Sequence, residues 1–89
     1  MLRPKFTKQF EKDIKRIQKR GKSVNKLKNT IKKLINENPL EPHLKDHKLS
    51  GNYIGRRECH LEPDWLLIYK LEKFDIIFER TGSHSDLFK

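Results

Sequence analysis

Apolar residues at helical spacing mark two stretches in the first part of the chain. The first stripe contains, at steps of four, four and three residues, Phe6, Phe10, Ile14 and Ile17. The second stripe contains Val24, Leu27, Ile31, Leu34 and Ile35. Such spacing places the apolar side chains on one face of an α-helix. The pattern therefore predicts two amphipathic helices, the first running to about Arg20 and the second stopped by residues 36–39.

The residues at the ends of these stripes suit helix termini. Thr7 and Ser23 can each cap a helix, because a side-chain oxygen there accepts a hydrogen bond from a free backbone N–H. Gly21 is well placed to end the first helix. The connection between the helices is only "GKS", so we expect an antiparallel helical hairpin that exposes its lysines.

The period of the apolar positions changes in the second half. "GRRECHLE" alternates, "WLLIYKL" is a continuous apolar run, and "IIFERTG" follows the turn "EKFD". These features are typical of β-strands, and "LRPKF" near the start predicts a further short strand. We expect one α+β domain over residues 1–89, with the helical hairpin packed on one face of a mainly antiparallel sheet of about four strands.

The segment between the helices and the strands, "NPLEPHLKDHKLSGNY", shows no regular period. Its prolines and glycine indicate a loop, and Leu40, Leu44 and Leu49 could tie it to the core. Ordered loops often carry functional residues. We therefore expect this segment to contribute to a site.

Charge is distributed unevenly along the chain. The formal net charge is +9, and residues 1–45 hold 14 Lys and Arg against 4 Asp and Glu. Residues 46–89 are nearly balanced, with 7 against 8. A strongly basic half favours a polyanionic partner, either nucleic acid or an acidic protein.

Cysteine content and hydropathy indicate the compartment. Cys59 is the single cysteine, so an internal disulfide is excluded, which fits a reducing environment. The start of the chain does not resemble a signal peptide, and the apolar run "WLLIY" is far shorter than a membrane span. We expect a cytoplasmic protein without a membrane partner.

Three histidines in the second half have an acid nearby in sequence. His47 follows Asp46, His60 precedes Asp64, and His84 precedes Asp86. The histidines lie 13 and 24 residues apart and form no short-spaced ligand pair, so the spacing disfavours a metal site, and we expect no cofactor.

Nucleophilic catalysis by cysteine is also disfavoured. Cys59 and His60 are neighbours on an alternating strand, so their side chains should point to opposite faces. Cys59 is therefore predicted to be a core residue.

Acid–base cleavage of RNA accounts better for this set of residues. Attack by a 2′-hydroxyl needs a base, a cation for the phosphate and an acid for the leaving oxygen, and aromatic rings can hold the bases. Histidine suits both proton transfers, and arginine suits the phosphate. The candidates are His47, His60, Asp64, Arg80, His84, Trp65 and Phe88. Each also has a structural interpretation: Trp65 and Phe88 could be core residues, and Arg80 could pair with Glu79 or Glu62.

Three motifs resemble the YafQ branch of the RelE/ParE toxin superfamily. They are "KDHKLSG", "RECHLEPDWLLIYK" and "FERTGSHSDLF", and the resemblance covers nearly the whole chain. It implies a bacterial type II toxin with a RelE-like fold. Such a toxin enters the ribosome and cuts translated mRNA without metal, by 2′-hydroxyl attack. It also implies a cognate ribbon–helix–helix antitoxin, a heterotetrameric complex, and repression of operator DNA through that antitoxin.

The resemblance implies roles for the polar site residues. His84 would donate the proton to the leaving oxygen. His47, His60 or Asp64 would act as the base or polarise it. Arg80 would hold the phosphate. These five residues are the expected catalytic set.

Further residues receive binding roles. Trp65 and Phe88 would position the RNA bases or pack beneath the site. Lys12, Lys15 and Lys19 would contact ribosomal RNA or the acidic antitoxin.

Two other functions remain open from the sequence. The first is a toxin that acts by binding alone, as ParE-type inhibitors of gyrase do. The second is a plain RNA-binding module with incidental histidines. An endoribonuclease is favoured, because neither alternative needs a set of acid–base groups.

Overall fold

The polypeptide forms an α+β fold in which two helices follow a first short strand and four more strands complete one sheet. The computed structural model describes residues 1–88. The helices are α1 (Lys8–Lys19), α2 (Val24–Ile35) and α3 (His84–Leu87). The strands are β1 (Arg3–Phe6), β2 (His47–Lys48), β3 (Arg57–Glu62), β4 (Trp65–Leu71) and β5 (Asp75–Gly82). Short 3-10 turns occupy Pro42–Leu44 and Gly51–Tyr53.

Both long helices begin and end as the sequence predicts. The Thr7 hydroxyl accepts a hydrogen bond from the Phe10 backbone N–H at 3.0 Å, and Ser23 caps α2 in the same way. Gly21 adopts a φ of +79° directly after α1, a conformation that side chains with a Cβ disfavour. Local chemistry thus sets the helix termini.

The sheet differs from the prediction in strand number and in one strand direction. Its order is β1-β5-β4-β3-β2, so it has five strands rather than about four. The additional strand, β2, pairs with β3 and is only two residues long, too short to show a period. β1 runs parallel to β5. The two strands are far apart in sequence, so their relative direction depends on the path of the helices between them and not on a local pattern. The sheet is therefore mixed.

The two faces of the sheet carry different cores. β4 sends Trp65, Leu67 and Tyr69 into a large cluster that includes apolar residues of both α1 and α2. Leu66 and Ile68 alternate with them and join a smaller cluster on the other face. Both long helices therefore cover one face, as predicted, and leave the second face to the loop and α3.

The irregular loop is tied to the structure by its leucines. Leu44 is buried and Leu40 packs against the large cluster. Leu49 packs against the small cluster on the second face. The predicted anchoring is confirmed, and it brings β2 to the edge of the sheet.

Among residues 1–88, none of the helices combines the length and the apolar character that crossing a membrane requires.

Candidate active site

A row of rings crosses one edge of the second sheet face. The ring centroids of His47 and His60 lie 5.9 Å apart, and those of His60 and His84 lie 6.0 Å apart. Phe88 follows His84 at 6.3 Å, and Tyr53 follows Phe88 at 5.4 Å. Adjacent strands β2 and β3 and the helix α3 position the three histidines. The structure thus gathers the predicted histidines and adds Tyr53, which the sequence analysis did not single out.

A buried carboxylate lies between the first two histidines. Glu58 Oε2 is 3.4 Å from His47 Nε2, and Glu58 Oε1 is 3.7 Å from His60 Nε2. The Glu58 side chain is only 6% exposed. The sequence analysis missed this residue, although Glu58 lies two positions before His60 on a strand and therefore on the same face.

A second carboxylate orients the third histidine. Asp64 Oδ1 accepts hydrogen bonds from His84 Nδ1 at 2.6 Å and from the His84 backbone N–H at 2.8 Å. The pKa of Asp64 is lowered, chiefly by the backbone hydrogen bond and then by the side-chain bond. Because the carboxylate accepts at Nδ1, that nitrogen carries a proton and Nε2 is left for proton exchange.

The acids closest in sequence to His47 and His84 have other partners. Asp46 accepts hydrogen bonds from the Tyr69 hydroxyl at 2.5 Å and from Arg57 Nε at 3.3 Å. Asp86 is bound by Arg20. Neighbours on a strand or in a turn point in different directions, so closeness in sequence did not identify the acids that contact the histidines.

Hydrogen bonds attach the short helix α3 to the end of α1. Ser83 and Asp86 form a reciprocal capping box at its start. Arg20 donates two hydrogen bonds to Asp86, at 2.6 and 3.0 Å, and the first of these is the chief reason that the pKa of Asp86 is lowered. A Cβ on Gly82 would lie 2.8 Å from Asp86 Oδ2, so glycine permits this close approach. These contacts fix the backbone that carries His84.

Arg80 pairs with a residue other than the two partners considered from the sequence. Its Nε and Nη2 donate to the fully buried Asp13 of α1 at 2.8 and 3.2 Å, rather than to Glu79 or Glu62. This hydrogen bond is the chief cause of a raised pKa for Arg80, and Tyr53 adds a smaller effect of the same sign. Arg80 is therefore fixed chiefly by the first long helix.

The two predicted aromatic residues have different environments. Trp65 is 1% exposed, lies in the helix-side core, and donates from Nε1 to Thr81 Oγ1 at 2.9 Å. Burial leaves the Trp65 ring inaccessible to RNA bases, so of the two expected roles only packing within the core agrees with its position. Phe88 is 42% exposed beside His84, where a base could reach it.

Cys59 is a core residue, as predicted. It is fully buried, and burial is the chief reason that the pKa of its thiol is raised to about 12. Its thiolate, the reactive form, is therefore scarce at neutral pH.

The sequence matches, over residues 2–89, the family described as "Bacterial toxin of type II toxin-antitoxin system, YafQ". The chain belongs to this family. The family inferred from the three motifs is thereby confirmed.

Close relatives support the match over the full length. An Escherichia coli K12 protein named "mRNA interferase toxin YafQ" is 50% identical over 84 residues, which are 93% of this chain and 91% of the relative. The E. coli toxin in a DinJ–YafQ complex is 47% identical with a TM-score of 0.93, and the match covers 100% of both chains. A metal-bound toxin from Helicobacter pylori is 42% identical with a TM-score of 0.93, covering 99% of this chain and 100% of that one.

Three of the site groups could also hold a cation. One ligand atom each from His47, Glu58 and His60 can be chosen so that all three lie within 4.8 Å of one another. Imidazole nitrogen and carboxylate oxygen are ligands that zinc and copper accept. These three groups form no short-spaced ligand pair in the sequence and are brought together by the pairing of β2 with β3.

Proposed function

We propose that this chain is an mRNA interferase toxin that cuts translated mRNA by acid–base catalysis at the histidine row. The observation that carries the proposal is the geometry of His47, His60 and His84, consecutive rings about 6 Å apart, with one carboxylate shared by the first two and another on the third. The E. coli relative bears the name of this activity. Neither a binding-only toxin nor a plain RNA-binding module needs such an arrangement.

His60 and His84 are the proposed proton carriers. His60, at the centre of the row, takes the proton from the 2′-hydroxyl as the 2′ oxygen bonds to phosphorus. The bond from phosphorus to the 5′ oxygen breaks, and His84 Nε2 delivers a proton to that oxygen. The products are a 2′,3′-cyclic phosphate and a 5′-hydroxyl.

The two carboxylates support these proton transfers. Asp64 accepts from Nδ1 of His84, so it stabilises the doubly protonated ring that an acid requires. Asp64 is thus better placed to assist the acid than to act as the base. Glu58 contacts His60 and His47 and stabilises the charge that His60 gains as it accepts a proton. His47 is further fixed by its Nδ1, which donates to the Lys45 carbonyl at 2.6 Å.

Positive charge near the phosphate comes in part from Arg80. Nε and Nη2 face Asp13, so the proposed contact with the phosphate uses Nη1. The ion pair with Asp13 offsets much of the arginine charge, which makes Arg80 an auxiliary group. Phe88 offers an exposed ring for a base next to the cut.

The ribosome and an antitoxin are the proposed partners. Lys12, Lys15 and Lys19 are exposed on α1 and form a basic surface that suits ribosomal RNA or an acidic protein. The E. coli relative forms a complex with DinJ. We expect a cognate ribbon–helix–helix antitoxin, a heterotetramer, and binding of operator DNA through the antitoxin.

A transition-metal ion would compete with this chemistry. The H. pylori relative has been solved in metal-bound form. In this chain His47, Glu58 and His60 supply a suitable set of ligand atoms. An ion held there would occupy the proposed base, so metal should inhibit cleavage.

The deciding experiment is mRNA cleavage in a translating extract, with wild type compared with His84→Ala. Loss of a general acid should lower the cleavage rate by roughly two to four orders of magnitude. The control is Phe74→Ala, which truncates an exposed ring in the β4–β5 turn. Translation arrest with intact mRNA would indicate a binding-only toxin, and absence of arrest would indicate an RNA-binding module.

A further inference from the structure

A basic cleft opens from the active site toward the helices. It has a volume of about 490 Å³ and is lined by Lys26, His43, Lys45, His60 and Leu61, among others. His60 belongs both to this cleft and to the ring row. A ligand lying over the histidines therefore has a continuous route into the cleft.

The lysines at the cleft outnumber its acid. Glu62 accepts hydrogen bonds from Lys22 at 2.6 Å and from Lys26 at 3.3 Å. The pKa of Glu62 is lowered, chiefly by the bond from Lys22, so the carboxylate stays charged and holds both ammonium groups in place. Among the residues that line the cleft, Lys26 and Lys45 carry two positive charges against the one negative charge of Glu62. The excess favours an anion.

Lys45 connects the cleft to the catalytic row. Its backbone adopts a φ of +50°, and its carbonyl accepts the hydrogen bond from His47 Nδ1 at 2.6 Å. Leu44, directly before it, is buried and anchors the loop. The residue that fixes the His47 ring therefore also sends its side chain to the cleft wall.

We propose that the basic cleft binds the phosphodiester of the mRNA next to the one that is cut. The inference rests on the proposed function, because an RNA strand with its scissile phosphate over the histidines must carry a neighbouring phosphate to each side of the row. On the His60 side that phosphate meets Lys26 and Lys45. The exposed His43 ring provides a surface for the attached nucleoside.

The test is direct binding of a short 2′-O-methyl RNA, which cannot be cut because it lacks the attacking hydroxyl. All proteins carry His84→Ala. Adding Lys26→Gln and Lys45→Gln should weaken binding about tenfold at moderate salt and reduce the slope of log affinity against log salt by about 0.7, the contribution of one single-strand phosphate contact. The matched control adds Lys28→Gln and Lys48→Gln, which remove the same charge from other surfaces.

Glu62→Gln separates a binding role from a structural one. It removes the negative charge and leaves the lysines, so RNA binding should tighten severalfold. If Lys26 served only to pair with Glu62, both Lys26→Gln and Glu62→Gln would change RNA binding in the same direction, and the proposal would be wrong.

Equal binding by the cleft variants and the control, or no binding of this RNA at any salt, would also overturn the proposal. Cleavage by the wild type in a translating extract is measured separately. If the wild type cuts mRNA while the cleft variants bind RNA normally, only the cleft assignment fails. If the wild type cuts nothing, the proposed function itself fails.

Discussion

Glu58 shows how a single buried side chain can organise two catalytic candidates. Its carboxylate contacts His47 and His60 from opposite oxygens while the side chain is almost completely buried. A buried carboxylate is costly unless it has polar partners. The two imidazole rings are the partners that Glu58 has here.

Glu58→Gln should therefore damage catalysis more than folding. The amide keeps the size of the side chain but removes its charge, and we expect cleavage to fall about 10- to 100-fold, the usual cost of losing a group that orients a functional residue. The measurement is the cleavage rate at saturating mRNA, with the melting temperature followed in parallel. Full activity in a folded Glu58→Gln protein would contradict the assigned role.

Sensitivity to metal ions is a second test of the role of Glu58. A chelator selective for transition metals, which leaves the Mg²⁺ of the ribosome in place, should leave cleavage unchanged. Added Zn²⁺ should inhibit cleavage by binding to His47, Glu58 and His60. Glu58→Gln should raise the Zn²⁺ concentration needed to bind the folded protein, as measured by calorimetry. Loss of activity with the selective chelator would show instead that a transition-metal ion takes part in the reaction.

At the scale of elements, α3 is the piece whose position matters most to the chemistry. It is only four residues long, so its own helical hydrogen bonds cannot hold it. The capping box and the hydrogen bond from Arg20 to Asp86 supply the stabilising contacts that so short a helix lacks.

Asp86→Ala should lower both stability and activity. Loss of a helix cap costs about 1 kcal/mol, and displacement of α3 should slow cleavage while RNA binding is unchanged. Because the pKa of Asp86 is lowered in the folded state, its pairing stabilises the protein above the ordinary carboxyl pKa of about 4. That contribution is lost as the pH falls through the folded-state pKa, so the stability difference from wild type should narrow in acid.

Asp75→Ala is the matched control for this prediction. Asp75 is buried to a similar degree, with its side chain 12% exposed against 13% for Asp86, and it pairs with Arg3 and Lys5 at the other end of β5. It should lose stability but keep the cleavage rate per folded molecule. Equal rates in the two variants would show that α3 does not position His84.

At the scale of the whole molecule, positive charge and catalytic groups come from different halves of the chain. The basic first half forms the helices on one sheet face, whereas the histidines gather on the other face. The helical lysines are therefore expected to govern docking, and the second half to govern chemistry.

Replacing Lys12, Lys15 and Lys19 by glutamine should weaken binding to ribosomes and reduce its salt dependence. Each lost phosphate contact removes about 0.7 to 0.9 from the slope of log affinity against log salt, so the triple variant should lose about 2. The control replaces Lys48, Lys70 and Lys73, which lie in the second half. Ribosome affinity that is unchanged at every salt concentration would rule out this docking surface.

Local patterns in the sequence were sufficient for the two long helices and for four of the five strands. Helix caps, strand alternation and apolar spacing involve residues within a few positions of one another, and so Thr7, Ser23 and the run from Trp65 to Tyr69 behave as predicted. The three motifs identified the family. The histidines stand out in the sequence because their chemistry is distinctive, but the acids nearest in sequence to His47 and His84 are not the ones that contact them: Glu58 lies against His47, and Asp64 binds His84.

Only the tertiary structure decided which distant groups meet. Pairing of β2 with β3 places Glu58 against His47. Packing of α1 on β5 allows Arg80 to donate a hydrogen bond to Asp13. The same packing buries Trp65. These contacts join residues that are far apart in the chain. They form because the burial of apolar surface and the pairing of buried charges depend on the complete fold and not on a local segment. By itself the sequence determined the two long helices, the longer strands, the basic charge and the family. The short strand β2, the helix α3 and the pairing partners that shape the site depended on long-range packing.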